Sequence, residues 1–164
     1  MSENQIIQLD ANLTNYANII KRDLNIDILN LSGGGAAGGL GAGLHVFASA
    51  DLVPGFDLID ATVGLEKRIA MADFVITGEG RMDAQTINGK TPYGVAKLAL
   101  KYGKPVIGIA GQLGEGYELL FDYGFSSIFT ISDGRGGVED SLKRAPELLE
   151  GIGERIFRLI DNIK

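Results

Sequence analysis

Three short apolar runs, Phe74-Val-Ile76, Val106-Ile-Gly-Ile109 and Ile128-Phe-Thr-Ile131, alternate with two stretches of helical pattern. Each run is too short for a helix and rich in β-branched or aromatic residues, which suits a buried strand. Between the first two, Thr91 is expected as an N-cap, with Pro92 in the first turn, of a helix that reaches Tyr102 and closes at Gly103. Between the second and third, residues 115–123 read as a helix stopped by Gly124. A βαβαβ order demands a parallel sheet joined by right-handed crossovers. The expected fold class is therefore α/β: three α/β/α layers around a small, mostly parallel sheet of Rossmann-like or flavodoxin-like type. Residues 1–164 are read as one such unit. Three strands make a small sheet, so further strands are expected from a segment not present here.

In a sheet of this kind the ligand site lies beyond the carboxyl ends of the strands. The three loops expected there, residues 78–90, 111–114 and 132–137, are all glycine-rich. Elsewhere the pattern is helical. Ile6, Leu9, Leu13, Tyr16 and Ile20 recur at steps of three and four, with Ser2 and Gln5 placed as a capping box. Residues 23–28 favour neither state. A further helix begins inside the glycine run and ends near Ala50; one or two short helices follow over 56–71. The tail, 138–163, is helical with a break at Pro146, and Leu148, Ile152, Ile156, Ile160 and Ile163 share one face.

Composition narrows the chemistry. There are no cysteines, so disulfides, thiolate metal sites and a cysteine nucleophile are excluded. A single histidine, His45, excludes a His-rich zinc site. Lys+Arg 15 against Asp+Glu 21 gives a net charge of −6 with no basic block, which argues against a nucleic-acid partner. No apolar run approaches the roughly 18 residues of a membrane span, and the polar start is unlike a secretory signal; a cytoplasmic location is expected. The 24 glycines are about twice the usual share of roughly 7%, and they cluster where backbone must turn tightly or approach something closely.

The richest segment is Thr77-Gly-Glu-Gly-Arg-Met-Asp83. Gly78 and Gly80 let backbone come near a ligand, while Glu79, Arg81 and Asp83 offer two carboxylates and a cation. Phosphoryl transfer uses this combination: a carboxylate to hold Mg²⁺ or take the hydroxyl proton, and a cation to offset phosphate charge. A simple loop salt bridge would use the same residues. Next, Ala84-Gln-Thr-Ile-Asn-Gly-Lys-Thr91 satisfies a relaxed P-loop pattern, with Ala for the first Gly. Lys90 and Thr91 then sit at a helix N-terminus, where N–H groups favour an anion. A true P-loop leaves its strand almost directly, whereas six residues intervene after Thr77, so only Lys90 as a phosphate ligand is retained.

The run 33–43, containing Gly34, Gly35, Gly38, Gly39 and Gly41, is suited to a nest of N–H groups around a phosphate or carboxylate. Close packing of a glycine-faced helix would leave the same signature. His45 reads as a packed helix residue; Asp51, Asp57 and Asp60 read as turn and capping residues. Asp133 and Arg135 read as a plain turn.

The segment from Asp73 to Ala96, DFVITGEGRMDAQTINGKTPYGVA, closely resembles a signature of the bacterial glycerate kinase family, the kind without a P-loop. Gly35-Ala-Ala-Gly-Gly-Leu-Gly-Ala-Gly43 is similar to that family's glycine-rich segment, and Ile109-Ala-Gly111 with Leu113-Gly114 to its next strand and turn. The resemblance covers nearly all of the chain from Leu9 onward. Two departures stand out: family members are considerably longer and begin with a strand and an Asp-Ser-Phe-Lys-type loop, and residues 133–137 do not match. The chain thus resembles the carboxy-terminal portion of the family, and Arg135 takes no role from it.

The resemblance implies ATP and Mg²⁺ as co-substrates and transfer to a hydroxyl of D-glycerate, the 2-hydroxyl at family level. It implies Asp83 or Glu79 as base or metal ligand, and Arg81 and Lys90 as phosphate-facing cations. Gly34, Gly35, Gly38, Gly39, Gly41, Gly78, Gly80 and Thr91 are implied around the nucleotide. The resemblance also implies a two-lobed enzyme with the site between the lobes; its partners would be glycerate, a nucleotide, and a complementary N-terminal lobe or further copies of the chain. Two other readings compete: a non-catalytic nucleotide- or anion-binding module missing half of the site, and an independent P-loop nucleotidase.

Overall fold

The computed structural model describes residues 2–163. The chain divides into two compact units, Met1–Leu58 and Ile59–Lys164.

The first unit is helical. α1 (Glu3–Leu24) starts at the expected capping box, in which Ser2 and Gln5 satisfy each other's backbone N–H groups. Its apolar stripe is buried only in the second half. Ala17 and Ile20 join Ile28 and Ala42 in a small core flanked by Tyr16, Ile26, Leu31 and Val46, while Ile6 and Leu9 are exposed. The undecided stretch 23–28 ends the helix: Asn25 adopts a left-handed cap. α2 (Ala36–Ala48) begins inside the glycine run as expected, through Ala37, Gly38 and Gly39 at positive φ.

α3 (Gly55–Val63) and α4 (Leu65–Met71) lead into the second unit. There β1 (Val75–Met82), β2 (Val106–Leu113) and β3 (Phe125–Thr130) form an all-parallel sheet in the order β1-β2-β3. α5 (Thr91–Lys101) joins the first pair, and a 3-10 segment, Tyr117–Tyr123, joins the second. These two connections pack on each other, as crossovers of one hand running in one direction along a sheet must. The other face carries Ile107, Ile109 and Phe129, covered by Leu148, Ile152 and Ile156 of α7 (Ala145–Ile163) together with Ile131. The alternation along β2 follows: Val106, Gly108 and Ala110 are buried, with Ile107 and Ile109 partly so. Three layers therefore exist, and the tail's stripe is their third. Ile160 packs at its margin; the side chain of Ile163 lies outside the described residues.

Local boundaries differ in instructive ways. β1 does not stop near Thr77 but runs on through Gly-Glu-Gly-Arg-Met82, because β2 offers partners as far as Gln112 and Leu113; pairing overrides the weak strand propensity of glycine. Segment 117–123 forms a 3-10 rather than an α-helix, being only seven residues between Gly116 and Gly124, both left-handed. The cap of α5 is Lys90 rather than Thr91. The tail breaks at Arg144, between α6 (Val138–Lys143) and α7, which places Pro146 in a first turn where its missing N–H costs nothing.

Arg144 ties that break together, bridging Asp133 at 2.9 Å, Asp140 at 3.2 Å and Glu147 at 3.0 Å. The Arg135 N–H and then Arg144 lower the Asp133 pKa, Arg144 lowers that of Glu147, and the guanidinium is raised in return. Lowered carboxylates contribute stability that is complete above their ordinary range and lost as pH falls through the lowered values. Acidification from about pH 6 to about pH 3 should therefore lower amide protection, taken relative to the intrinsic exchange rate at each pH, across 133–147 before the sheet opens. Hydrogen exchange would show it; uniform behaviour across the second unit would mean the bridges contribute nothing local.

Candidate functional site

The carboxyl end of β1 and the turn after it bring the expected residues together. The strand alternation sends Glu79 and Arg81 to the face from which the crossover departs. Immediately after the strand Asp83 caps a 3-10 turn, Ala84–Ile87, accepting the Gln85 N–H at 3.0 Å. Gly89, at φ +93, then reverses the chain so that Lys90 returns over the strand end. Lys90 Nζ stands 3.5 Å from Glu79 Oε2 and 3.8 Å from Asp83 Oδ1. Arg81 Nε donates to Asp83 Oδ2 at 3.1 Å. Two carboxylates and two cations thus close into one cluster. The carboxylates are largely covered, each side chain 17% exposed, whereas Lys90 is 40% and Arg81 61% exposed. The cations are the groups a dissolved anion meets first.

Two residues to which the sequence assigned no role complete the cluster. Thr86 is fully buried; its hydroxyl donates to Glu79 Oε1 at 2.6 Å and accepts the Asp83 N–H at 3.2 Å. Gly114, at the end of β2, donates its N–H to Met82 O at 2.7 Å, and a Cβ there would stand 2.7 Å from the Asp83 Cβ and 2.8 Å from Arg81 Nε. Only glycine lets β2 close on the cluster. A threonine in a polar run and a glycine in a turn look ordinary in one dimension; their meaning comes from what the turn stacks beside them.

The relaxed P-loop segment is not an open phosphate loop. The strand runs on to Met82, so the intervening distance is shorter than the sequence suggested, but the residues after it are spent on the capped 3-10 turn. Thr91 heads α5, whose N-cap Lys90 makes no side-chain cap.

The two motif glycines differ. At Gly78 a Cβ would meet Ile109 O at 2.5 Å, so this position packs strand on strand; at Gly80 nothing lies within 4 Å. Gly80 opens onto two clefts, the second of which Gly78 also borders. One, of about 320 Å³, is lined from all three strand ends, by Gly80, Gly111, Gln112, Ser132, Gly136 and Gly137 among others. The other, of about 500 Å³, is walled by aliphatic side chains including Ile76, Ile109, Leu142 and Leu149. The three glycine-rich segments do converge at the carboxyl edge. Asp133 serves the turn, accepting the Arg135 N–H and pairing with Arg144.

The remaining candidates lie in the first unit. Gly35 and Gly38 have open space where a Cβ would stand, while Gly39 meets Leu13 at 2.9 Å and Gly41 meets Gly33 O at 2.5 Å. Gly34 and Gly39 donate their N–H groups to Leu31 O and Gly35 O. His45 Nδ1 is 3.0 Å from Ala50 O, a packed helix residue as expected.

For a metal, no group of three or more His, Asp or Glu side chains gathers among the described residues. Glu79 and Asp83 nevertheless already present one oxygen each to a cation, the Lys90 ammonium. Mg²⁺ commonly takes one or two carboxylates and completes its shell with water and substrate phosphate, and the pair fits that requirement.

Comparison with known proteins gives one answer. The model of the "Glycerate kinase family" matches residues 1–161. The glycerate kinase of Halalkalibacterium halodurans is 45% identical over 92% of this chain and 40% of its own length. Glycerate 2-kinase of Escherichia coli K12 is 42% identical over 88% of this chain and 38% of its own. A solved structure of a candidate glycerate kinase 2 from Salmonella typhimurium LT2 superposes with a TM-score of 0.66 at 42% identity, covering 99% of this chain and 41% of that one. The chain spans about 40% of the length of the curated relatives it matches, and it belongs to the glycerate kinase family.

Proposed function

We propose that this chain works in phosphoryl transfer from ATP to a hydroxyl of D-glycerate. The observation that supports it most is the cluster of Glu79, Asp83, Lys90 and Arg81 at the carboxyl edge of a parallel sheet, where the α/β fold places its ligands. In the reaction the glycerate hydroxyl oxygen attacks the γ-phosphorus, the bond from phosphorus to the bridging oxygen breaks, and ADP leaves with the electron pair. The hydroxyl proton goes to a carboxylate, Asp83 or Glu79. Lys90 and Arg81, the exposed cations, face the phosphate oxygens and offset their charge. Mg²⁺, when bound, would neutralise phosphate charge and orient the transferring group. Glu79 and Asp83 are the residues that would hold it. The 2-hydroxyl is the acceptor we favour, in keeping with the name of the Escherichia coli relative.

Gly78, Gly80 and Thr91 border the nucleotide in this reading, and Gly34, Gly35, Gly38, Gly39 and Gly41 form an anion cradle in the first unit. A complementary lobe, or another copy of the chain, is the partner we assign to the aliphatic wall around Leu142 and Leu149, which are exposed. The reading places the chain in the cytoplasm; among the described residues no helix is long and apolar enough to cross a membrane.

A coupled assay for ADP, with ATP, Mg²⁺ and D-glycerate, tests the reading. Turnover that needs glycerate is expected, either from this chain alone or once the rest of a full-length relative is supplied in trans. ATP hydrolysis indifferent to glycerate would replace it with a nucleotidase. Binding without turnover in both formats would leave an anion-binding module.

A further inference from the structure

We infer that Thr86 is a positioning residue: its hydroxyl sets which oxygen of Glu79 faces the reacting side of the cluster. Among the described residues, Thr86 is the polar side chain that burial closes off completely. A threonine hydroxyl has one proton to give. The Asp83 N–H, at 3.2 Å, occupies an acceptor position on Oγ1. The proton therefore points to Glu79 Oε1, at 2.6 Å, a length typical of a hydroxyl donating to a carboxylate. The relay runs one way, from Asp83 N–H through Thr86 to Glu79.

Two consequences follow from that polarity. Oε1 of Glu79 is committed, so Oε2, the oxygen 3.5 Å from Lys90, is the one left to face a cation or a proton. The same hydroxyl touches both carboxylate-bearing residues, across the junction of strand and turn, and so holds their separation. Burial at Thr86 and the two hydrogen bonds at its Oγ1 hold the hydroxyl in place. Outer groups of this kind orient the residues that do chemistry, and their loss commonly costs about 10–100-fold in activity or metal affinity.

The geometry stands apart from the kinase reading; its catalytic consequence rests on it. Two variants and two measurements separate them. Thr86→Val keeps the shape and removes the hydroxyl, whereas Thr86→Ser keeps the hydroxyl and removes the methyl. In the glycerate-dependent assay, corrected for folded protein, Thr86→Val is expected to lower kcat about 10–100-fold and to raise the Mg²⁺ concentration needed for half-maximal rate. KM for ATP should change little, because Lys90 and Arg81 are untouched. Thr86→Ser should recover most of the lost rate. Wild-type kcat in Thr86→Val, or equal loss in both variants, would overturn the assignment.

Proton NMR on this chain supplies the second measurement. A hydroxyl proton that is buried and donated to a carboxylate should exchange slowly enough to be seen, show proximity to the Asp83 amide, persist in Thr86→Ser and vanish in Thr86→Val. Its absence from folded wild-type protein would overturn the positioning role. Its presence together with failed turnover would bring down the kinase reading alone.

Discussion

Replacing Asp83 by Asn is expected to lower glycerate-dependent ADP production by about 10²–10⁴-fold, the usual weight of a positioned acid or base. The substitution separates chemistry from folding unusually well. Asn keeps an Oδ1 that can still accept the Gln85 N–H, so the cap of the 3-10 turn survives. What disappears is the charge between Arg81 and Lys90, which stand 3.1 Å and 3.8 Å from the two carboxylate oxygens. Lys90 would then be left with Glu79 alone, and the pair that fits a metal would be reduced to one carboxylate. The measurement is kcat in a glycerate kinase preparation that is active with the wild-type chain, alongside circular dichroism to verify the fold. A rate near wild type would remove Asp83 from the chemistry and leave it a turn cap.

A second large effect is expected on stability. Gly78→Ala should destabilise the second unit by about 1–3 kcal/mol, the usual cost of overpacking a well-fitted interior. The added Cβ would stand 2.5 Å from Ile109 O, a backbone atom of the paired strand that moves only if the β1–β2 ladder moves. Gly80→Ala, two residues along the same strand, is the matched control. Nothing lies within 4 Å of its Cβ position, so stability should hardly change. Thermal unfolding of the two variants, at roughly 2–4 °C per kcal/mol for a chain of this size, would resolve the difference. Equal melting temperatures would mean the strands have room to part. Gly80→Ala also narrows the clefts that Gly80 lines, so a loss of nucleotide affinity at unchanged stability would connect those clefts to binding.

The alternation of apolar β-branched runs with capped helical stretches was enough to establish a parallel α/β sheet, because only right-handed crossovers return a chain to the same sheet in the same direction. The stripe at Leu148, Ile152 and Ile156 likewise announced a buried helix face. Residue types narrowed the chemistry as well: without cysteine and with one histidine, carboxylates and basic side chains were what remained for a polar site. The span of β1 was hidden, since glycine is a poor strand former and only the β2 ladder carries Gly-Glu-Gly as strand. The four members of the cluster were legible as candidates, but the way they meet was hidden for a related reason. Lys90 lies seven residues from Asp83 and eleven from Glu79, and what joins them is a reversal at Gly89 and a cap at Asp83. Thr86 was the least legible of all, because a hydroxyl between two carboxylate-bearing residues acquires its meaning from direction and burial. Sequence periodicity reports which face of an element is apolar. Which polar atoms end up within hydrogen-bond reach is decided by how the elements close on one another.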